Sequence, residues 1–196
     1  MSFLKHSDTA IIVLHEIYGV NSHILEVCEY YKKAGFDIIC PNMLNRESFD
    51  YVDEEEAYEY FLKNVGFNLA SKIVTDLIVQ AKQEYKYVFL LGFSIGATIA
   101  WLCSDKECNG IIGYYGSRIR DYININPKSL VLLIFAAEEK SFNVMEVVAE
   151  LNKKTNVDVN MLPGKHGFSD PFSIKYYEES DKAAIRLVEK FIKNRR

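Results

Sequence analysis

Six short apolar runs, each followed by a longer stretch of different periodicity, constrain this chain more than any other feature. AIIVLH (10–15), FDIIC (36–40), YVFLLGF (87–93), GIIGYYG (110–116), LVLLIFAA (130–137) and VDVNMLP (157–163) have the length and residue types of strands. Several are apolar almost without interruption, as strands covered on both faces must be. The stretches between them repeat at helical spacing. Residues 22–34 place Ile24, Leu25, Val27, Cys28, Tyr31 and Ala34 on one face, with Gly35 able to close the helix. Residues 67–85 carry Leu69, Ile73, Leu77, Ile78 and Ala81 as a stripe, and about 173–193 carry Ala183, Ala184, Leu187, Val188, Phe191 and Ile192. Strand–helix–strand alternation from end to end predicts one α/β domain spanning 1–196. Its sheet is expected to be mostly parallel and doubly wound, with about six to seven strands flanked by helices. Ligands of such sheets gather beyond the carboxyl ends of the strands.

Composition removes several classes of function. The 196 residues are 49% hydrophobic and 26% charged, with a net charge of −4, so no basic surface for nucleic acid is expected. No segment is long and apolar enough to span a bilayer, and MSFLKHSDTAIIVLHE lacks the apolar core of a secretory leader. Cys28, Cys40, Cys103 and Cys108 form no C-x-x-C pair and no zinc-like spacing with histidine. The expectation is a cytoplasmic protein with reduced thiols and no metal site.

Residues 45–67 stand apart, combining an acidic run with Phe49, Tyr51, Tyr58, Tyr60, Phe61 and Phe67. One reading is a helix capped by Asp53, with Glu54 to Glu56 favoured in its first turn. The other is a small aromatic cap over a substrate pocket.

In VFLLGFSIGATIAW (88–101), Gly92 and Gly96 bracket Ser94 in the spacing G-x-S-x-G, between an apolar strand and a helical pattern. A sharp turn there projects the serine from the backbone and leaves amides free at the helix start, the setting a nucleophilic serine needs. The alternative is a turn of small residues with no chemistry. A nucleophile needs a base. Of the four histidines, His6 lies near the N-terminus, His15 ends the first strand and His23 opens the first helix. His166 sits in LPGKHGFSD, directly after the last strand, where a parallel sheet delivers it to the same edge as Ser94.

Taken with these elements, LHEIYG (14–19), AGFDIICPNML (34–44), GFSIGATIAW (92–101), GYYG (113–116) and HGF (166–168) make the chain resemble the dienelactone hydrolase family. The resemblance implies a single-domain α/β-hydrolase fold and hydrolysis of esters, lactones or related acyl compounds, with no metal or organic cofactor. Carried over by position, Ser94 takes the nucleophile's place, where the name-giving enzymes use cysteine, and His166 takes the base's place. The amides of Ile17 and Ile95 would form the oxyanion hole. Glu16 matches a glutamate near the nucleophile and would line the substrate site.

The third member of the triad does not carry over. In LVLLIFAAEEKSFNV (130–144) the family's aspartate position falls on Lys140, which cannot accept a hydrogen bond from imidazole. Glu139, one place earlier and with a longer reach, is the preferred candidate, ahead of Glu138 and of Asp170 in the histidine loop. Absence of the acid, and with it a silent scaffold that binds a ligand or protein, is the rival reading. The arginine that grips a substrate carboxylate in the family is replaced here by Asp170, and Arg46 is the nearest cation to offer. A neutral or weakly polar ester, lactone or thioester is therefore expected as substrate.

Overall fold

The computed structural model describes residues 6–196; residues 1–5, the start of the stretch compared above with a secretory leader, lie outside it. In chain order the elements are β1 (Thr9–Leu14), α1 (Ser22–Lys33), β2 (Asp37–Ile39), α2 (Glu54–Asn64), α3 (Gly66–Glu84), β3 (Tyr87–Phe93) and α4 (Ile95–Leu102). They continue with β4 (Gly110–Tyr114), β5 (Val131–Glu138), α5 (Val144–Leu151), β6 (Val157–Lys165) and α6 (Glu178–Lys193). The six strands form one sheet in the order β2-β1-β3-β4-β5-β6, and every pairing is parallel.

Both faces of this sheet are covered, which explains the unbroken apolar runs. Side chains alternate across a strand, so Ala10, Ile12 and Leu14 of β1 join one core with α2, α3, α4 and α5. Ile11 and Val13 join the other, against Ile24 and Tyr31 of α1 and Ala184, Val188, Phe191 and Ile192 of α6. Each fully buried Val, Leu, Ile or Phe among them contributes roughly 1.5–3 kcal/mol by leaving water.

Two local expectations change. The last helix begins at Glu178 rather than near 173. Asp170 captures the chain first, its Oδ1 accepting from the Phe172 amide at 2.9 Å and its carbonyl from the Ser173 amide at 3.1 Å. Such side-chain turns compete with helix, and α6 starts only where Glu178, Glu179 and Asp181 suit its positive end. Asp53 makes no capping hydrogen bond; it closes a short 3-10 turn, Tyr51–Asp53, that runs into α2. The 45–67 segment is not an isolated flap, because Ala57 and Phe61 of α2 are fully buried in the core.

Candidate active site

Four parallel strands end along one edge, and each releases a residue named above. Glu16 and Ile17 follow β1, Ser94 follows β3, Glu139 follows β5 and His166 follows β6. The turn at Ser94 is sharp. Its φ of +53° and ψ of −112° lie where side chains are rarely found, a strain of roughly 1–3 kcal/mol that the surroundings must hold. They do so through the Ser94 amide, which donates to the Tyr114 carbonyl at 3.0 Å, and the Ser94 carbonyl, which accepts from the Thr98 amide at 3.2 Å.

The glycines permit a close approach. A Cβ on Gly92 would stand 2.3 Å from the Gly96 carbonyl oxygen, and one on Gly96 would stand 2.3 Å from that of Leu14. The first turn of α4 therefore rests directly on the end of β1. Gly96→Ala is expected to lower stability by more than about 2 kcal/mol, because the obstructing atom is backbone. Urea denaturation reads this directly, and an unchanged midpoint would contradict the packing.

The side chains meet in a relay. Ser94 Oγ lies 2.9 Å from His166 Nε2, and His166 Nδ1 lies 2.8 Å from Glu139 Oε1. With Glu139 ionised, Nδ1 carries the proton and Nε2 is left to accept from the serine hydroxyl. The Glu139 side chain is 3% exposed, whereas the His166 ring is 30% exposed and so open to a substrate. An irregularity in the sheet sets this alignment. Ala136 pairs with Leu162, but Glu138 pairs with Lys165, so β6 holds an extra residue at this point. Gly164, at φ +107°, absorbs the bulge. The Tyr115 ring packs 5.0 Å from that of His166, and its hydroxyl meets Ser169 Oγ at 2.8 Å, bracing the loop.

The other acids stand elsewhere. Glu138 and Lys140 are exposed. Asp170 does not reach His166; its Oδ2 accepts from the Tyr51 hydroxyl at 2.6 Å. Arg46 is exposed and stacks on Phe49 at 3.7 Å and on Tyr60 at 5.0 Å. Among the described residues, the Ile17 and Ile95 amides donate to no acceptor within the protein. Beside Ile17, His15 is fully buried; its Nδ1 lies 2.6 Å from the Glu16 carbonyl oxygen and its Nε2 accepts from the Met43 amide at 3.0 Å. Burial pushes this imidazole down to about 4, so it is neutral, with Nδ1 as donor.

Glu16 lies just past the end of β1 and is withdrawn from solvent. It is 5% exposed and grouped with His23 and Asp170, each 1% exposed. Burial pushes its carboxyl up, with the His23 imidazole opposing and Asp170 reinforcing the shift. Sequence reasoning missed this grouping and the part of Tyr51 in it, because the members come from three segments with no shared local spacing.

A family model for dienelactone hydrolases matches residues 3–195. The chain belongs to the dienelactone hydrolase family. Membership makes it a hydrolase of the ester- and lactone-cleaving type. Among relatives, this family member is 39% identical over 170 residues to YczH of Bacillus subtilis (strain 168), covering 85% of this chain and 83% of that one. It is 22% identical over 128 residues to carboxymethylenebutenolidase of Pseudomonas putida, covering 60% of this chain and 54% of the other. Its fold is also that of the dienelactone hydrolase-like promiscuous phosphotriesterase P91 from metagenomic libraries. There the TM-score is 0.75 at 18% identity, over 96% of this chain and 87% of the other. In this family member Ser94, His166 and Glu139 stand in one hydrogen-bonded row at the strands' carboxyl ends.

Proposed function

We propose that this family member is a serine hydrolase that cleaves carboxylic esters, lactones or thioesters through an acyl-enzyme on Ser94. The observation that carries the reading is the continuous relay of 2.9 and 2.8 Å from Ser94 through His166 to Glu139. Ser94 Oγ attacks the carbonyl carbon while His166 Nε2 takes its proton. The oxyanion forms between the Ile17 and Ile95 amides, which have no partner among the described residues. Collapse expels the alcohol or thiol, which leaves with the proton from Nε2. Water then repeats the sequence and frees Ser94. Glu139 holds the Nδ1 proton throughout and stabilises the imidazolium.

The displaced acid weakens the rival of a silent scaffold, since the bulge in β6 and the length of glutamate bring Glu139 to the imidazole despite Lys140. Asp170 stands where the resemblance would put a carboxylate-gripping arginine, which disfavours an anionic substrate. The exposed aromatic and apolar residues Phe172, Ile174, Tyr176 and Tyr177 of the histidine loop favour a neutral one. No helix among the described residues is long and apolar enough to cross a membrane, and the four cysteines are unpaired, which supports a reducing cytoplasm.

A fluorophosphonate probe tests the reading. Wild type is expected to be labelled on the peptide carrying Ser94, with labelling lost in Ser94→Ala. Persistence of the label in that variant would sink the proposal. His15 supplies a second test. Its Nδ1–H holds the Glu16 carbonyl, and the same peptide plane carries the Ile17 N–H on its opposite side. His15→Asn can keep that donor, whereas His15→Leu cannot, so kcat is expected to fall at least about tenfold further in the leucine variant, with KM little changed. Equal kcat in the two variants would remove His15 as a positioning residue.

A further inference from the structure

Buried side chains with unmet hydrogen-bonding capacity are uncommon, and His23 is one. Its ring is 1% exposed, neither Nδ1 nor Nε2 has a hydrogen-bond partner, and it stacks edge to face on Phe93 at 4.9 Å. Leaving such a nitrogen dry and unpaired is unfavourable. Nδ1 is aimed at two carboxylates, lying 4.0 Å from Glu16 Oε2 and 3.9 Å from Asp170 Oδ2. All three donor atoms fall within 4.8 Å of one another.

We propose that Glu16, His23 and Asp170 form a site for one divalent first-row metal ion, of the zinc or manganese class. Spacing is the first argument. A protonated imidazole bridging to carboxylate oxygens draws them to about 2.7–2.9 Å, and these gaps, at 3.9 and 4.0 Å, are well beyond that. Donors around a shared ion stand farther apart. An ion placed between these three lies about 2.5 Å from each, and rotations of a few tenths of an ångström bring it to bonding distance. Charge is the second argument. Two carboxylates and one imidazole share a site closed to water, and carboxylate charge taken out of water is paired or metal-bound. One imidazole with two carboxylates suits zinc or manganese rather than a thiolate-seeking ion.

The surroundings are those of an oriented ligand set. The Tyr51 hydroxyl donates to Asp170 Oδ2 at 2.6 Å, and Asn21 Nδ2 donates to the Tyr51 hydroxyl at 3.1 Å. The Phe172 amide fixes the other carboxylate oxygen at 2.9 Å. Such outer partners aim metal ligands. A bound ion ties together the end of β1, the start of α1 and the loop after β6. These segments carry Ile17 and His166, so the ion acts as a staple behind the site and touches no reacting atom.

The test reads binding and not turnover, so it stands whether or not Ser94 is the nucleophile. Full-length protein is dialysed against a chelator and titrated with MnCl2 followed by electron paramagnetic resonance, and with ZnCl2 followed by calorimetry and thermal melting. One equivalent per chain is expected, with a raised Tm. Affinity is expected to drop at least about tenfold in Tyr51→Phe, which keeps all three ligands but removes the donor to Asp170 and the acceptor of Asn21, and to drop further in His23→Gln. His166→Ala is expected to bind as wild type does, which separates this site from chance coordination at the exposed histidine. No binding by wild type, or binding indifferent to both Tyr51→Phe and His23→Gln, overturns the proposal. So does a crystal structure of metal-treated protein with His23 Nδ1 at hydrogen-bond distance from either carboxylate.

Discussion

Ser94→Ala is expected to lower kcat for a short p-nitrophenyl ester by on the order of 10^5- to 10^6-fold, the scale seen when a serine nucleophile is removed. KM is expected to change little, because the hydroxyl adds almost nothing to ground-state binding. His166→Ala is expected to cost about the same, and the double variant no more than either single one. The reason is geometric: the hydroxyl donates into the same Nε2 that must later protonate the leaving group, at 2.9 Å, so each residue is useless without the other. The substitution is sterically mild, although φ of +53° at this position persists for alanine. Equal thermal stability of Ser94→Ala and wild type separates lost chemistry from lost fold. A residual rate within tenfold of wild type would remove Ser94 from the reaction.

The architecture was legible because burial on two faces leaves a plain mark. Runs such as VFLLGF admit few readings other than a central parallel strand, and β3 spans Tyr87–Phe93 in the middle of the sheet. Ser94 and His166 were legible for a related reason. Each directly follows a strand, and parallel strands deliver their carboxyl ends to one edge. The start of α6 was not legible, because the helical stripe of 173–193 gives no sign that Asp170 accepts from the amides of Phe172 and Ser173. Glu139 was legible only as one of three candidates. Its choice depends on an extra residue in β6 opposite the end of β5, and such a register break is a property of the pair of strands. The grouping of Glu16, His23 and Asp170 was hidden for the same reason. Sequence showed one as a glutamate lining the substrate site, one as a helix-start histidine and one as an alternative triad acid, and only the fold makes them neighbours.

The three acids near His166 are separated by the second large effect. Glu139→Gln is expected to lower kcat on the order of 10^4-fold, as loss of a triad acid does elsewhere, with the nucleophile still present and still open to the fluorophosphonate at a slower rate. The amide can turn its oxygen or its NH2 group toward Nδ1. In the second orientation it forces the proton to Nε2, where it blocks acceptance from Ser94. Glu139→Asp keeps the charge but withdraws it by one methylene from an atom now 2.8 Å away, so an intermediate loss is expected. Glu138→Gln is expected to leave kcat within about twofold, since that side chain is exposed. Asp170→Asn tests a different connection. Its carboxylate is tied to Tyr51 and the Phe172 amide, so any loss of rate comes through the position of the loop and not through the imidazole. Magnitude tells these apart: Glu139→Gln removes the charged acceptor from Nδ1, whereas Asp170→Asn leaves the contacts of Ser94, His166 and Glu139 in place and is expected to cost far less. Full activity in Glu139→Gln would mean that the 2.8 Å contact plays no part in turnover, and the Ser94–His166 pair would then have to work as a dyad.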